Sequence, residues 1–232
     1  MRTAHLFAGA GGGMLADEIL GHKTKFAMEI DFQTCKNLEQ QFKETEIINA
    51  DIKEFNGNQW QGKVDLISAG IPCPEWSTAR SGKGNTENLW SEVFRITSEA
   101  KPDYLFLECA TGFQREHGNV QRDLQGIGYG ITQPLIYCAS QVGAPHIRRR
   151  YWSLAYANHK SESMRPLNAK MALIGADASG LPWETPLPSN DGVDDGLADR
   201  TYRYKAIGNG QCPLQAAAAY IILGGPLNDI EV

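Results

Sequence analysis

A cysteine held between two prolines is the first residue of this chain whose setting could do chemistry. It stands in Gly70-Ile71-Pro72-Cys73-Pro74-Glu75-Trp76-Ser77, just past the apolar run Val64-Asp65-Leu66-Ile67-Ser68-Ala69. A run of that length and β-branched content reads as a buried strand, and proline on both sides of the cysteine stops strand or helix from continuing. Cys73 is thereby expected in a rigid loop at a strand's carboxyl end, the edge of an open α/β sheet where ligands bind. Its thiolate could act there as a nucleophile; the alternative is the small buried hydrophobe that most free cysteines are. Glu108, following the apolar Tyr104-Leu105-Phe106-Leu107, reads either as a proton donor or as a solvated acid at a strand end. In His146-Ile147-Arg148-Arg149-Arg150, Arg148 and Arg150 fall on one side of an extended segment. They could reach a thiolate, a base or a phosphate, or simply be surface charges.

A second group of residues points to a cofactor. An apolar run at 3–7 leads into Phe7-Ala8-Gly9-Ala10-Gly11-Gly12-Gly13 and then a helical pattern. Glycines let the backbone turn tightly and approach a ligand, and a helix amino terminus presents unpaired amides. The next apolar run ends at Glu29, with Asp31 close behind, and the third ends near Asp51. An acid at the first of these ends suits ribose hydroxyls and one at the second an adenine amino group. Turn and acids together suggest an adenosine-containing cofactor, either a nicotinamide dinucleotide or S-adenosyl-L-methionine.

The elements that must position these groups alternate regularly. Strand-like runs at 3–7, 26–29, 47–49, 64–69 and 104–107 are interleaved with helical spacing at 14–20, 32–42 and 89–100. This is a doubly wound α/β pattern with a mostly parallel sheet. Runs at 131–139 and 151–156 are too close for a helical crossover and are expected to pair antiparallel at the sheet's end. The stretch 158–199 is polar and rich in Gly, Pro, Ser and Asp, so it reads as a loop-rich insert, and Pro213 opens a last helix over 213–221. The expected organisation is a core at 1–157, the insert at 158–199 and a segment at 200–232 returning to the core.

Composition sets limits. At 232 residues, 42% hydrophobic and 21% charged, the chain reads as a globular protein with a sizeable core. It shows neither a membrane-length apolar run nor an apolar leader, so a cytoplasmic location is expected. Five cysteines without a Cys-x-x-Cys pair read as reduced thiols rather than a disulfide framework or metal site. The net charge of −5 gives no overall attraction to nucleic acid, so such binding would rest on local basic patches.

Taken in order, Phe7-Ala8-Gly9-Ala10-Gly11-Gly12, Pro72-Cys73 with Ser77, Glu108, His146 to Arg150, and Gly208-Asn209 before the last helix resemble the motifs of DNA cytosine carbon-5 methyltransferases. The segment Gly192-Val193-Asp194-Asp195-Gly196-Leu197 is similar to small, phage-type members. The chain departs from the pattern in three places: Glu108-Cys109-Ala110 replaces Glu-Asn-Val, His146 replaces the Gln of Gln-x-Arg-x-Arg, and Gly210-Gln211-Cys212 follows Gly208-Asn209 where small and β-branched residues are usual. The resemblance implies methyl transfer from S-adenosyl-L-methionine to cytosine in double-stranded DNA, with no metal. It implies Cys73, Glu108, Arg148 and Arg150 as the reacting or polarising groups. Phe7, Ala8, Gly9, Gly11, Gly12, Glu29, Ile30, Asp51, Ile52, Pro72 and Asn209 would hold the cofactor. Ser77, His146, Arg203 and Lys205 would contact the nucleic acid.

The family usually reads its target with a dedicated region between the arginine and Gly-Asn motifs. Here that interval offers only Lys160, Arg165, Asn168, Lys170 and Asn190 as base readers, which suggests a site of about two to four base pairs. Arg200, Arg203 and Lys205 would add phosphate contacts. A cytosine methyltransferase acting on RNA, a nicotinamide oxidoreductase and a non-catalytic DNA-binding relative are the competing readings.

Overall fold

Alternation of strands and helices gives the sheet its order. The computed structural model describes residues 1–72, 88–144, 146–165 and 210–227. Its eight strands are β1 (Arg2–Leu6), β2 (Lys23–Glu29), β3 (Glu46–Asn49), β4 (Leu66–Gly70), β5 (Tyr104–Cys109), β6 (Tyr129–Ile131), β7 (Leu135–Cys138) and β8 (Arg149–Ala157). They form one sheet in the order β3-β2-β1-β4-β5-β8-β6, with β7 also paired to β8. The pairs from β3 to β5 are parallel, and β8 runs antiparallel to β5, β6 and β7.

Helices α1 (Gly12–Ile19), α2 (Phe32–Gln41), α3 (Trp90–Ala100), α4 (His117–Gly126) and α5 (Pro213–Ile222) cover the sheet. Side chains alternate across each strand, so one face of β4, β5 and β8 presents Leu66, Phe106, Trp152 and Leu154 to α1 and α5. The other face presents Ile67, Leu105, Leu107 and Tyr151 to α3 and α4. Every residue of β5 is buried, and Phe106 stacks on Trp152 at 5.2 Å and meets Tyr220 of α5 edge-on at 5.5 Å. Such ring pairs add roughly 0.5–1.5 kcal/mol each beyond area burial. Gln215, buried in α5, donates from Nε2 to Tyr137 O and Arg148 O, both at 2.8 Å, and so ties the last helix to β7 and to the segment entering β8.

The structure differs from the sequence pattern in instructive places. Phe7 lies beyond β1 with φ of 59°, outside the strand expected to include it. The run at 131–139 is two strands, because Pro134 has no N–H to give the ladder. Helix α4 was not expected: only His117, Val120 and Leu124 of its ten residues are buried, too thin a stripe in a polar sequence. Of the insert, 158–165 is described, beginning with a 3₁₀ turn at Asn158–Ser163; the remainder and the 200–209 stretch lie outside the described residues.

Candidate active site

The glycine loop is built for close approach. Phe7, Gly9 and Gly11 all have positive φ, at 59°, 52° and 83°, and Gly11 serves as the N-cap of α1. A β-carbon on Gly11 would fall 2.7 Å from the Phe42 ring, and one on Gly12 would fall 1.9 Å from Gln211 O. The turn therefore has no room for side chains at these points, and the segment preceding α5 sits directly on the amino end of α1.

Beside it, Glu29 ends β2 with its carboxylate held by backbone amides: Gly9 N donates to Oε2 at 2.9 Å, and Ile30 N and Asp31 N donate to Oε1 at 3.0 and 3.1 Å. Asn49 braces the same strand end, donating from Nδ2 to Glu29 O and Ile30 O. Asp31 caps α2 by accepting from Thr34 N at 2.8 Å, and Asp51 accepts from Lys53 N at 3.0 Å. Two large apolar side chains stay in solvent here, Ile30 at 66% exposure and Phe32 at 62%, whereas Ile52 is buried. Exposed hydrophobes flanking a fixed carboxylate at a strand end form a wall suited to a planar ring carrying a polar sugar.

At the carboxyl ends of β4 and β5 the chemistry changes. Glu108 is paired in register with Gly70, and Ile71 N donates to Glu108 O at 2.9 Å. Pro72 is exposed at this edge and the chain continues from it to Cys73, which lies outside the described residues along with Ser77, Arg203, Lys205 and Asn209. The Glu108 carboxylate is buried and meets Arg150 Nε through Oε1 at 2.9 Å. Burial pushes its pKa up, and the charges of Arg150 and Arg148 pull the other way without cancelling it. The two arginines, expected to act together, have different partners. Arg148 donates from Nη2 to Gly210 O at 2.6 Å, joining the β8 entry to the segment before α5. Burial, then the neighbouring Arg150, lowers the Arg148 pKa. His146 and Ile147 are exposed beside them.

Cys109 does not fit the reading of all five cysteines as reduced thiols. It is disulfide-bonded, whereas Cys35, Cys138 and Cys212 are free. Its Sγ lies 3.6 Å from Ile71 O, where β4 gives way to the proline-flanked loop. Sequence reasoning also missed Phe32, whose only signal was an apolar residue two places after Ile30, and Gln211, visible only as a departure from a motif.

A sequence profile of the C-5 cytosine-specific DNA methylase family matches residues 1–180. The chain belongs to this family. It is 29% identical over 163 residues to the type II methyltransferase M.NgoMIV of Neisseria gonorrhoeae, covering 67% of this chain and 52% of that protein. It is 29% identical over 193 residues to M.CviJI of Paramecium bursaria Chlorella virus IL3A, covering 81% of this chain and 50% of the relative. The chain thus spans about half the length of these curated relatives. Among solved structures it resembles a DNMT2 variant of Spodoptera frugiperda (TM-score 0.59, 23% identity, 69% of this chain and 51% of that one). A DNA modification methyltransferase from an Escherichia coli prophage is also similar (TM-score 0.58, 24% identity, 75% and 54%). These structures share the α/β methyltransferase fold. No described helix is long and apolar enough to cross a membrane.

The family's cofactor is S-adenosyl-L-methionine, and the residues present fit it: a tight glycine loop with positive φ at Gly9 and Gly11, a fixed carboxylate and an exposed apolar wall lie at adjoining strand ends. Glu29→Ala removes an acceptor of charge-assisted hydrogen bonds, each contributing about 1.5–3 kcal/mol. Cofactor affinity by calorimetry is expected to weaken about tenfold to a hundredfold. Unchanged affinity would remove Glu29 from the site.

Proposed function

We propose that this chain transfers a methyl group from S-adenosyl-L-methionine to carbon 5 of cytosine in double-stranded DNA, with Cys73 as the covalent nucleophile. The observation that carries this reading is Glu108: a buried acid at the end of β5, ion-paired to Arg150, one strand away from the segment that leads into Cys73. Burial favours its neutral form, which a proton donor to ring nitrogen 3 of cytosine requires. Arg150 fixes the carboxyl, and Arg148 holds the C-terminal segment against it. A base inside a duplex is out of reach of these groups, so the target is flipped out. Exposed His146 and Ile147, with Ser77, Arg203 and Lys205 from the sequence, supply the nucleic-acid face.

When bound over Phe7, Ala8, Gly9, Gly11 and Gly12, the cofactor supplies an electrophilic methyl group. Glu29 with Ile30, Asp51 with Ile52, and Pro72 with Asn209 hold its adenosine and amino-acid parts. Residues 1–157 serve as catalytic core, 158–199 as a reduced target-recognition insert and 200–232 as the returning segment. The segment Gly192-Val193-Asp194-Asp195-Gly196-Leu197 supports a small, phage-type modification enzyme. Its thin recognition insert reads about two to four base pairs. Methylation sequencing of DNA from cells expressing this chain alone tests the proposal; methylcytosine in a short context is expected. Its absence, together with no covalent trapping on duplex DNA containing 5-fluorocytosine, would overturn the reading.

The disulfide-bonded Cys109 is buried with its Sγ 3.6 Å from Ile71 O, so its redox state bears on the segment that leads into the nucleophile's loop. Methyl transfer is expected to rise several-fold when dithiothreitol is added to air-exposed protein. Cys109→Asn, which restores the family's residue, is expected to remove that dependence. An equal response in both proteins would break the link.

A further inference from the structure

Gln211 stands where the family's Gly-Asn motif is normally followed by small and β-branched residues, and its side chain spans the space between two acids on the same face of the sheet. Its backbone is fixed by the contact of its carbonyl with Gly12. The β-carbon that Gly13 lacks would lie 2.7 Å from Gln211 Oε1 and 2.8 Å from His5 Nδ1. The one that Gly70 lacks would lie 3.2 Å from Gln211 Nε2 and 3.4 Å from Glu108 Oε2. Gln211 Oε1 and His5 Nδ1 thus border the same gap at Gly13, and Gln211 Nε2 and Glu108 Oε2 border the same gap at Gly70.

The group at each end is constrained. His5 Nε2 lies 2.7 Å from Asp17 Oδ2, and Asp17, buried in α1, also accepts from the hydroxyls of Thr3 and Thr24 and has His22 Nδ1 at 3.6 Å. In the tautomer that gives Nε2–H to that carboxylate and leaves Nδ1 bare, His5 offers Nδ1 as an acceptor. On Glu108, Arg150 holds Oε1, with Arg148 close enough to act on its charge. This leaves Oε2, which borders the Gly70 gap together with Gln211 Nε2, to carry the proton. Gln211 Oε1 is buried and without a hydrogen-bond partner, which a bare Nδ1 on His5 accounts for. Exchanging the amide's oxygen and nitrogen resolves this: Nε2 donates to His5 Nδ1, and Oε1 accepts the acid proton of Glu108.

We propose that Gln211 is a positioning residue that bridges Glu108 to the buried His5–Asp17 pair and turns its amide over as Glu108 gains or loses its proton. Nε2 serves the carboxylate and Oε1 serves the carboxylic acid, so the proton donor has a partner on both sides of the transfer. A side chain that merely filled space would need neither end. The proposal rests on Glu108 being the proton donor described above.

The test titrates Glu108 directly. Full-length protein with ¹³C in the glutamate carboxyl is followed by NMR across pH, the Glu108 signal being identified by its loss in Glu108→Gln. Hydrogen bonds to charged groups are the stronger kind, so Gln211→Met removes more from the carboxylate than from the acid. The Glu108 midpoint is expected to rise by about half a pH unit or more. In methyl transfer, the alkaline limb of kcat is expected to move the same way, with cofactor affinity near wild type. Gln211→Leu serves as the second variant if the methionine protein does not fold. An unmoved midpoint in a folded variant overturns the proposal even if the wild type methylates DNA. A moved midpoint in a protein that never methylates DNA leaves the bridge standing and overturns the functional reading instead.

Discussion

Cys73→Ala is expected to abolish methyl transfer while leaving affinity for S-adenosyl-L-methionine near wild type. Carbon 5 of cytosine is a poor nucleophile, and it becomes reactive only when a thiolate adds at carbon 6 and converts the ring to an enamine-like species. No neighbouring group is placed for that covalent step: the described side chains at this edge include the Glu108 carboxyl, the Arg148 and Arg150 guanidinium groups, the His146 imidazole and the buried sulfur of Cys109, which is held in a disulfide. The glycine loop and Glu29 follow β1 and β2, whereas Cys73 follows β4, so removing the thiol takes away none of the described hydrogen bonds of the cofactor side and binding should survive the substitution. Tritiated-methyl transfer and calorimetry on the same preparations check both halves. Retention of more than a few per cent of activity would reject Cys73 as the nucleophile. Trapping on 5-fluorocytosine DNA gives a second readout, an adduct with the wild type and none with the variant.

Glu108→Gln carries the second largest expected effect, a fall in turnover of around 100-fold or more, the scale of general acid catalysis. Glutamine keeps the size and can still donate a hydrogen bond from its amide, but it has no acidic proton to transfer. The sign of the pH dependence follows from burial, which raises the Glu108 pKa and so keeps the acid protonated to higher pH than an exposed glutamate. The wild type is therefore expected to be fully active below that raised value and to lose activity as pH rises through it. The Gln variant should lose this alkaline limb along with its rate. A near-normal rate would place the acid elsewhere.

Short-range pattern was enough for the frame. Apolar runs with β-branched residues, glycine at the first turn and a proline-opened last helix specified a doubly wound sheet, because each signal acts within one element. The acids at the ends of β2 and β5, and the cysteine loop after β4, were legible for the same reason: a polar residue that closes an apolar run marks a strand's carboxyl edge. Helix α4 was not legible, since its buried stripe is three residues wide and becomes apolar only against α3 and the sheet.

The partners of the site residues belong to tertiary structure alone. Arg148 and Arg150 are equivalent in sequence, yet pairing of β5 with β8 sends Arg150 to Glu108, while docking of α5 gives Arg148 the carbonyl of Gly210. Gln211 and His5 are more than 200 positions apart, and only the contact of the last segment with Gly12 brings them to the same polar seam. Sequence by itself determined which groups stand at the sheet's edge, because strand ends are local. What each group faces was decided by packing between distant segments, which sets both the burial of Glu108 and the hydrogen bonds that hold it.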